Sequence, residues 1–298
     1  MSATIGVIGI GRMGRAICTR LAGAGFEVVA TDRRPEREAD ALDRGARWVA
    51  DIPAVVAAVD VVLTVLPGTE ELEAAGATAI PALGPGLTWI EMTSAAPGSG
   101  SALLARAEQR GAECLVATLG GGVDDARAGT VQLFAGGASD AVERHRPLLE
   151  TLGTVEHVGD HGAAYLTKLL VNLLWFAQGV ALGEALLLAA RDGVDLEALI
   201  SAIGRSAAGS ELVRNHGKAL LRGDHVASFE LDRCCDELDA VVDHAAERGV
   251  PNELAATVSR AYRDALARYG PVDGELLAVA ALEERAGIRL SAGGERRR

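Results

Sequence analysis

Aromatic residues, cysteines and lysines are all scarce in this sequence. Phe, Trp and Tyr make up only 3% of the 298 residues, so we expect a core built from Ala, Val and Leu. The four cysteines form no CxxC pair and no Cys/His cluster with zinc-ligand spacing, so we predict no metal site. Cys234 and Cys235 are adjacent, and we interpret them as reduced thiols.

Positive charge is also in deficit. Lys and Arg number 29 against 41 Asp and Glu, which gives a formal net charge of −12. Because an acidic chain repels phosphate backbones, we predict no nucleic-acid partner. The first residues carry no basic stretch of the kind that opens a signal peptide, and we predict a cytoplasmic protein.

One apolar run, residues 169–190, is about as long as a membrane-spanning helix. Asn172, Gln178 and Glu184 interrupt it, and at 100° per residue they point in three different directions. A helix that faces lipid does not place polar groups on all its sides. We therefore predict no membrane span, and instead a helix buried on all sides within the protein.

The order of apolar patterns predicts an α/β fold. Over residues 1–160, short apolar runs alternate with helical patterns, which indicates a doubly wound, mostly parallel sheet covered by helices. From Gly162 to Arg285 the pattern is helical, and the final GGERRR is expected to be a frayed tail. We predict a long interdomain helix over residues 161–191 and an all-helical substrate and dimerisation domain over residues 192–298.

A glycine-rich turn follows the first predicted strand and opens the first helix. Its sequence is GIGRMG, and in this context the GxGxxG pattern is typical of dinucleotide binding in a Rossmann domain. The first glycine makes the turn, the second lets a pyrophosphate approach the backbone, and the third lets helix and strand pack closely. The predicted cofactor-binding residues of this glycine turn are Gly9, Ile10, Gly11, Arg12, Met13 and Gly14.

The end of the second predicted strand carries conflicting signals about the cofactor. Asp32 favours NAD, because a carboxylate there binds the ribose 2′-hydroxyl and repels a 2′-phosphate. Arg33 and Arg34 follow directly, and either arginine can hold a 2′-phosphate or stack on adenine. The prediction is NAD or NADP, with NAD favoured.

Four motifs appear in the order typical of one family. They are the opening fingerprint (residues 5–14), Val-Leu-Pro (65–67), EMTSAAP (91–97) and GAAYLTKLLVN (162–172). Over nearly its whole length the chain resembles the β-hydroxyacid dehydrogenase family, to which imine reductases are related. The resemblance implies that Leu66 and Pro67 lie beside the cofactor and that Ser94 lies near the nicotinamide ribose.

The same resemblance implies that Lys168 and Asn172 are the catalytic pair and also contact the substrate. They are four residues apart, so they share one helix face, and Trp175 projects in nearly the same direction as a further substrate-binding candidate. Lys168 is one of only two lysines in the chain. As general acid or base it would exchange a proton with the substrate hydroxyl or carbonyl oxygen. Tyr165, one turn earlier, is a weaker candidate for the site.

The chain departs from the family pattern at two places. The family's Ser-Gly-Gly turn, which grips a substrate carboxylate, aligns with Gly120, Gly121 and Gly122, so the hydroxyl is missing and only backbone N–H groups remain. The family's second lysine aligns with Asp236, which is followed by Glu237. We therefore predict a substrate that is larger, less acidic, or carries an amine that pairs with one of these carboxylates.

Three functions remain open from the sequence. The leading one is an NAD(P)-dependent dehydrogenase or reductase acting on a β-hydroxy acid or a related alcohol and carbonyl pair. The alternatives are an imine reductase, which Lys168 argues against and the missing serine and second lysine argue for, and a nucleotide-binding protein without turnover. The family resemblance and the long apolar helix both imply a homodimer.

Overall fold

A computed structural model describes residues 3–292 and the backbone of residues 296–297 of the chain. Short runs of β-branched and apolar residues form the strands of its main sheet, and the central strands are buried on both faces as expected for parallel strands. The strands are β1 (Thr4–Ile8), β2 (Glu27–Thr31), β3 (Ala46–Trp48), β4 (Val61–Thr64), β5 (Thr88–Glu91), β6 (Glu113–Gly120), β7 (Val131–Gly136) and β8 (Gly153–Gly159).

Helices connect these strands and continue beyond them. They are α1 (Arg12–Gly23), α2 (Glu38–Leu42), α3 (Ile52–Val56), α4 (Thr69–Ala79), α5 (Pro97–Glu108), α6 (Val123–Ala128), α7 (Ser139–Leu149), α8 (His161–Arg191), α9 (Leu196–Arg205), α10 (Glu211–Leu220), α11 (Leu231–Glu247), α12 (Glu253–Tyr269) and α13 (Leu277–Ala286). The chain divides into two compact units after Lys168, inside α8.

The first unit is a doubly wound sheet in the order β3-β2-β1-β4-β5-β6-β7-β8. Alternate residues of β4 supply the cores on its two faces, with Leu63 on one side and Val62 on the other. The strand order reverses between β1 and β4, and ligands of such sheets bind in the crevice at that switch point. The predicted α/β class with a mostly parallel sheet is confirmed.

One strand pair breaks the parallel pattern. β6 and β7 pair antiparallel, with Thr118 opposite Phe134. Residues 121–130, which connect them, are too few for the crossover of a dozen or more residues that parallel neighbours need. The short elements β3, α2 and α3 also went unpredicted, because runs of three to five residues carry too little periodicity.

The second unit is built on helices. The carboxyl-terminal part of α8 packs with α9–α13 around apolar clusters that include Leu186, Phe176 and Tyr262. Helix was predicted as far as Arg285, and beyond it Ile288–Arg289 forms a two-residue strand that pairs antiparallel with Arg296–Arg297, where a frayed tail was expected; residues 293–295 and 298 of that tail lie outside the described residues. Helix α13 ends at Ala286, and the positive φ of 65° at Gly287 stops it before this strand.

Within the described residues, α8 is the one helix long and apolar enough to cross a membrane, judged by length and composition. Half of its most apolar window is buried. The prediction that it is buried on all sides is wrong for a single chain, because Leu170, Val171, Leu174 and Leu188 are 40–67% exposed. These four side chains are called the α8 stripe below.

Candidate active site

The glycine turn lies at the switch point of the sheet, between β1 and α1. Gly9 has a φ of +102°, and a Cβ there would lie 2.3 Å from the carbonyl oxygen of Val65. A Cβ on Gly14 would lie 1.9 Å from the carbonyl oxygen of Gly9, so helix and turn meet closely. At Gly11, by contrast, no atom of the described residues comes within 4 Å of such a Cβ. Gly9 and Gly14 therefore close the turn, and Gly11 leaves its backbone open to a ligand.

Helix α1 directs its amino terminus to the same opening. Gly11 is its N-cap, and no side chain of the described residues caps the first turn. Uncapped N–H groups and the helix dipole favour an anion at this position. Ile10 is fully buried behind the turn, whereas Arg12 is exposed in front of it. The residues present thus fit the pyrophosphate of a dinucleotide.

Asp32 follows β2 and is tied to the glycine turn. Its Oδ2 accepts a hydrogen bond from the N–H of Ile10 at 2.7 Å, and its Oδ1 accepts one from the N–H of Arg34 at 3.0 Å. The guanidinium of Arg34 lies 3.6 Å from the same carboxylate, while that of Arg33 is largely exposed. The turn thus holds the Asp32 carboxylate, and Arg33 and Arg34 supply positive charge beside it.

The loops after β4 and β5 face each other at the next position along the crevice. The N–H of Leu66 donates a hydrogen bond to Thr93 Oγ1 at 3.2 Å, and Thr93 is buried. Pro67 is exposed and Ser94 is half-buried. Of the two adjacent hydroxyls, Thr93 therefore holds the loops together, which leaves Ser94 as the hydroxyl placed to reach a ligand.

Glu91 is a buried residue of this region that sequence reasoning did not assign a role. It ends β5 with no solvent exposure, and its carboxyl accepts hydrogen bonds from the N–H of Thr93 at 2.7 Å and the hydroxyl of Tyr165 at 2.7 Å. Burial raises the pKa of Glu91 to about 7. The sequence offered one sign of this role, which is that Glu91 stands at the end of an apolar strand. A glutamate is almost never fully buried unless it is paired.

The three glycines at the end of β6 are less open than the sequence suggested. A Cβ on Gly120 would lie 3.2 Å from the Phe134 ring, so the position has little room for a side chain. The N–H of Gly122 donates to Asp125 Oδ2 at 2.8 Å, a bond that starts α6. The expectation that Gly122 offers its N–H to a substrate oxyanion is therefore corrected, because Asp125 already accepts that hydrogen. Gly121, with a φ of +113°, is exposed.

Lys168 lies two turns into α8, at the end of the first unit. It is half-buried, and it has a polar or charged interaction within the chain. Tyr165, one turn earlier, is only 1% exposed, and its hydroxyl is directed at Glu91. The suggestion that Tyr165 enters the site is corrected, because its hydroxyl is used inside the protein.

In the second unit, Asn172 pairs with a carboxylate of α11. Its Nδ2 donates a hydrogen bond to Glu237 Oε2 at 2.5 Å, and Glu237 is 6% exposed. Asp236 is exposed, and it pairs with Arg233 of the same helix at 3.4 Å. Neighbouring residues of a helix point about 100° apart, so the two carboxylates cannot face Asn172 together. Sequence register selected Asp236 as a substrate contact, but Glu237 is the carboxylate beside Asn172.

Trp175 belongs both to the core and to a polar cluster of the second unit. Its Nε1 donates to Glu275 Oε2 at 3.0 Å, and its ring meets His216 edge to face with centroids 5.4 Å apart. Its half-buried ring also packs against the apolar clusters around Leu186 and Phe176. These contacts hold the indole in place on α8, one turn after Asn172.

A glycine turn at a switch point, an aspartate at the end of the second strand and a lysine on the helix that leaves the sheet define an NAD(P)-dependent oxidoreductase. Family models match both units. The model for the NAD binding domain of 6-phosphogluconate dehydrogenase covers residues 4–161, and the model for NAD-binding of NADP-dependent 3-hydroxyisobutyrate dehydrogenase covers residues 162–282.

Individual relatives agree. The chain is 33% identical to L-threonate dehydrogenase of Cupriavidus necator, over 88% of this chain and 90% of that one. Its fold matches a structure of Mycobacterium tuberculosis 3-hydroxyisobutyrate dehydrogenase with L-serine at a TM-score of 0.86, with 26% identity and coverage of 95% and 99% of the two chains. It shares its fold with an imine reductase from Pseudomonas sp. at a TM-score of 0.63 and 18% identity, covering 95% and 100%.

The chain therefore belongs to the β-hydroxyacid dehydrogenase family, as the sequence motifs indicated. It is an NAD(P)-dependent dehydrogenase acting on CH–OH groups, and the predicted nicotinamide cofactor is confirmed at that level. Membership in a family of enzymes argues against the alternative of a nucleotide-binding protein without turnover.

Proposed function

We propose that this enzyme interconverts a β-hydroxy acid and its carbonyl form, with Lys168 as the general acid and base. The bound nicotinamide supplies the hydride acceptor or donor. In oxidation, Lys168 Nζ takes the proton of the substrate hydroxyl as the carbon loses hydride; in reduction, Lys168 Nζ returns a proton to the carbonyl oxygen. The observation that carries the proposal is that Lys168 is the single lysine of residues 1–168, on the helix that leaves the nucleotide-binding sheet.

Asn172 is proposed to orient the oxygen on which the proton moves, or the amine of Lys168. One turn of α8 separates the two residues, so they share a face of the helix. The hydrogen bond from Asn172 to the buried Glu237 fixes which way the amide points. A fixed amide keeps the oxygen in the geometry of the transition state without a further loss of entropy.

We propose that the substrate carries an amine. Glu237 places negative charge beside Asn172, and Gly120 offers no hydroxyl to a substrate carboxylate. A cationic group on the substrate would be attracted to a carboxylate at this position, and a neutral analogue would not. The similar structure from Mycobacterium tuberculosis was determined with L-serine, which is a β-hydroxy acid that bears an amine. The presence of such a compound with a relative supports the proposal.

NAD is the proposed cofactor. The Asp32 carboxylate is held at the glycine turn by Ile10, and its charge opposes a 2′-phosphate. Arg34 offsets part of that charge at 3.6 Å, and Arg33 is available to a phosphate from the solvent side. We expect activity with both cofactors and a higher kcat/KM with NAD.

We propose that the α8 stripe is buried against a second copy of this chain. One face of α8 is exposed every three or four residues, at Leu170, Leu174, Gln178, Ala181, Ala185 and Leu188, so a helix of the same kind can pack along it. A polar group every turn or two suits a protein interface better than lipid. We propose a homodimer in which this stripe forms part of the interface.

The deciding experiment is a parallel assay with NADH and NADPH on a panel of β-keto acids, semialdehydes, amino-ketones and cyclic imines. We expect turnover of the carbonyl substrates and loss of that turnover in Lys168→Ala. Turnover of imines alone, or a Lys168→Ala variant of full activity, would replace this proposal by the imine reductase alternative.

A further inference from the structure

A buried polar network occupies the end of β5 in the first unit. Glu91 has no solvent exposure, and its carboxyl accepts three hydrogen bonds, from the N–H of Thr93, the hydroxyl of Thr64 at 3.3 Å and the hydroxyl of Tyr165. All three donors are neutral. A buried carboxyl held only by neutral groups is expensive, which is why its presence calls for a role.

The network extends from Glu91 to the indole of Trp89. Trp89 Nε1 donates to Thr64 Oγ1 at 2.9 Å, and the Thr64 hydroxyl lies within hydrogen-bond distance of Glu91 Oε1. Tyr165 donates to Glu91 Oε2 from the other side. The network therefore converges on the carboxyl, and neither of its oxygens can shift without breaking a bond.

One arm of the network reaches the nicotinamide side of the crevice. The N–H of Thr93 donates to Glu91, and Thr93 Oγ1 accepts the N–H of Leu66. Leu66 and the adjacent Ser94 are the candidate contacts of the nicotinamide ribose. The position of the Glu91 carboxyl thus sets the position of both loops that would hold the reacting end of the cofactor.

The other arm reaches the helix that carries Lys168. Tyr165 is one turn before Lys168 on α8, and its ring packs so closely on α5 that a Cβ at Gly100 would lie 2.4 Å from it. The glycine makes room for the ring, and the hydrogen bond to Glu91 fixes its end. A second anchor, from Thr118 Oγ1 to the carbonyl oxygen of Ala164 at 3.1 Å, holds the same turn.

We propose that Glu91 and Tyr165 are positioning residues that hold Lys168 at a fixed distance from the nicotinamide loops. The pair joins the end of β5 to the start of α8, so the loops and the lysine move as one body. This inference rests on the proposed function, because it assumes that Lys168 transfers the proton. Neither Glu91 nor Tyr165 touches the substrate; both act through the elements that they join.

The test compares Tyr165→Phe and Glu91→Gln with Glu113→Gln as the matched control. Glu113 lies at the opposite end of the neighbouring strand, where it binds His145 and Arg144. Tyr165→Phe removes only a hydroxyl, so the ring still fills its place beside Gly100. For each variant kcat, both KM values and the midpoint of thermal unfolding are measured, with active sites counted by NADH fluorescence.

We expect kcat to fall about 10- to 100-fold in Tyr165→Phe and Glu91→Gln, since a misplacement of about 1 Å has this effect. Cofactor and substrate KM should change far less, and the double variant should lose no more than the more impaired of the two single variants. Glu113→Gln should lower thermal stability and leave kcat unchanged.

The series distinguishes failure of this inference from failure of the proposed function. If Tyr165→Phe and Glu91→Gln lose stability but keep kcat, as the control does, the network is purely structural and this inference is overturned. If Lys168→Ala in the same series keeps full activity, the proposed function fails first, whatever the network does.

Discussion

Asn172 donates a hydrogen bond of 2.5 Å to Glu237, a carboxylate that is almost fully buried on a helix 65 residues further along the chain. The adjacent Asp236 points to solvent instead and pairs with Arg233. This relationship changes which carboxylate we expect to select the substrate, and the first prediction follows from it.

We expect Glu237→Gln to lower kcat/KM for L-serine about tenfold or more relative to 3-hydroxypropionate, which has no amine. The loss of a hydrogen bond to a charged group is worth about 1.5–3 kcal/mol. The comparison variant is Asp236→Asn, for which we expect a smaller effect. Steady-state kinetics on both substrates decide the question. A larger loss in Asp236→Asn would favour Asp236 as the substrate contact, as the sequence alignment predicted. An equal loss of kcat/KM on both substrates in Glu237→Gln would contradict the contact between Glu237 and the substrate amine.

Replacing the catalytic lysine should separate chemistry from binding. In Lys168→Ala we expect kcat to fall by about 10²–10⁴, the usual contribution of general acid–base catalysis. Cofactor affinity, measured by quenching of NADH fluorescence, should stay the same, because the glycine turn is untouched. Lys218→Ala is the control, since Lys218 is the other lysine of the chain and is exposed on α10.

Cofactor preference should depend on the charge of Asp32. In Asp32→Asn the amide oxygen can still accept the N–H of Ile10, while the hydrogen bond from the N–H of Arg34 and the charge that opposes a 2′-phosphate are lost. We expect the ratio of kcat/KM for NADH over NADPH to fall about tenfold, the equivalent of roughly 1.4 kcal/mol. Asp40→Asn is the matched control, since Asp40 pairs with Arg15 at 2.9 Å. An unchanged ratio would assign the preference to Arg33 and Arg34 instead.

The pH dependence of stability should report the burial of Glu91. Its pKa is about 7 in the folded protein, against about 4.3 in an unfolded chain. Between these values the folded protein keeps the proton and the unfolded chain releases it, so the free energy of unfolding falls as pH rises. From pH 5 to pH 8 the wild type should lose about 2 kcal/mol relative to Glu91→Gln.

Urea unfolding at the two pH values measures this difference. Glu113→Gln serves as the control, because the pKa of Glu113 is shifted in the opposite direction. Burial raises this pKa, but hydrogen bonds and charge from Arg144 and His145 outweigh burial and hold the pKa below its usual value. Glu113 is therefore largely ionised at pH 5 in both the folded and the unfolded state. The difference in free energy of unfolding between Glu113→Gln and the wild type should change little between pH 5 and pH 8. A Glu91→Gln difference that is equally constant would mean that Glu91 is not protonated near neutrality.

The α8 stripe should set the oligomeric state. Light scattering of the wild type should give about twice the chain mass of 30.7 kDa, and Leu174→Glu should give the monomer. Leu42→Glu is the control, since Leu42 is 55% exposed and belongs to the first unit. A monomeric wild type would remove the dimer proposal, and a wild type that needs detergent to stay dispersed would point to a membrane instead.

The sequence by itself determined the local features of this protein. The glycine turn and the four-residue spacing of Lys168 and Asn172 depend on turn geometry and helix period, which are fixed by residues near one another in the chain. The same holds for the alternation of strands and helices that predicted the α/β class. The family motifs add to this because they repeat local patterns in a fixed order.

Only the tertiary structure decided which distant residues meet. Glu91 and Tyr165 are 74 residues apart in sequence, and Asn172 and Glu237 are 65 apart. One position along a helix turns a side chain by about 100°, so a register read from sequence cannot choose between Asp236 and Glu237. The exposed α8 stripe likewise follows from how the helices pack, which no local pattern encodes.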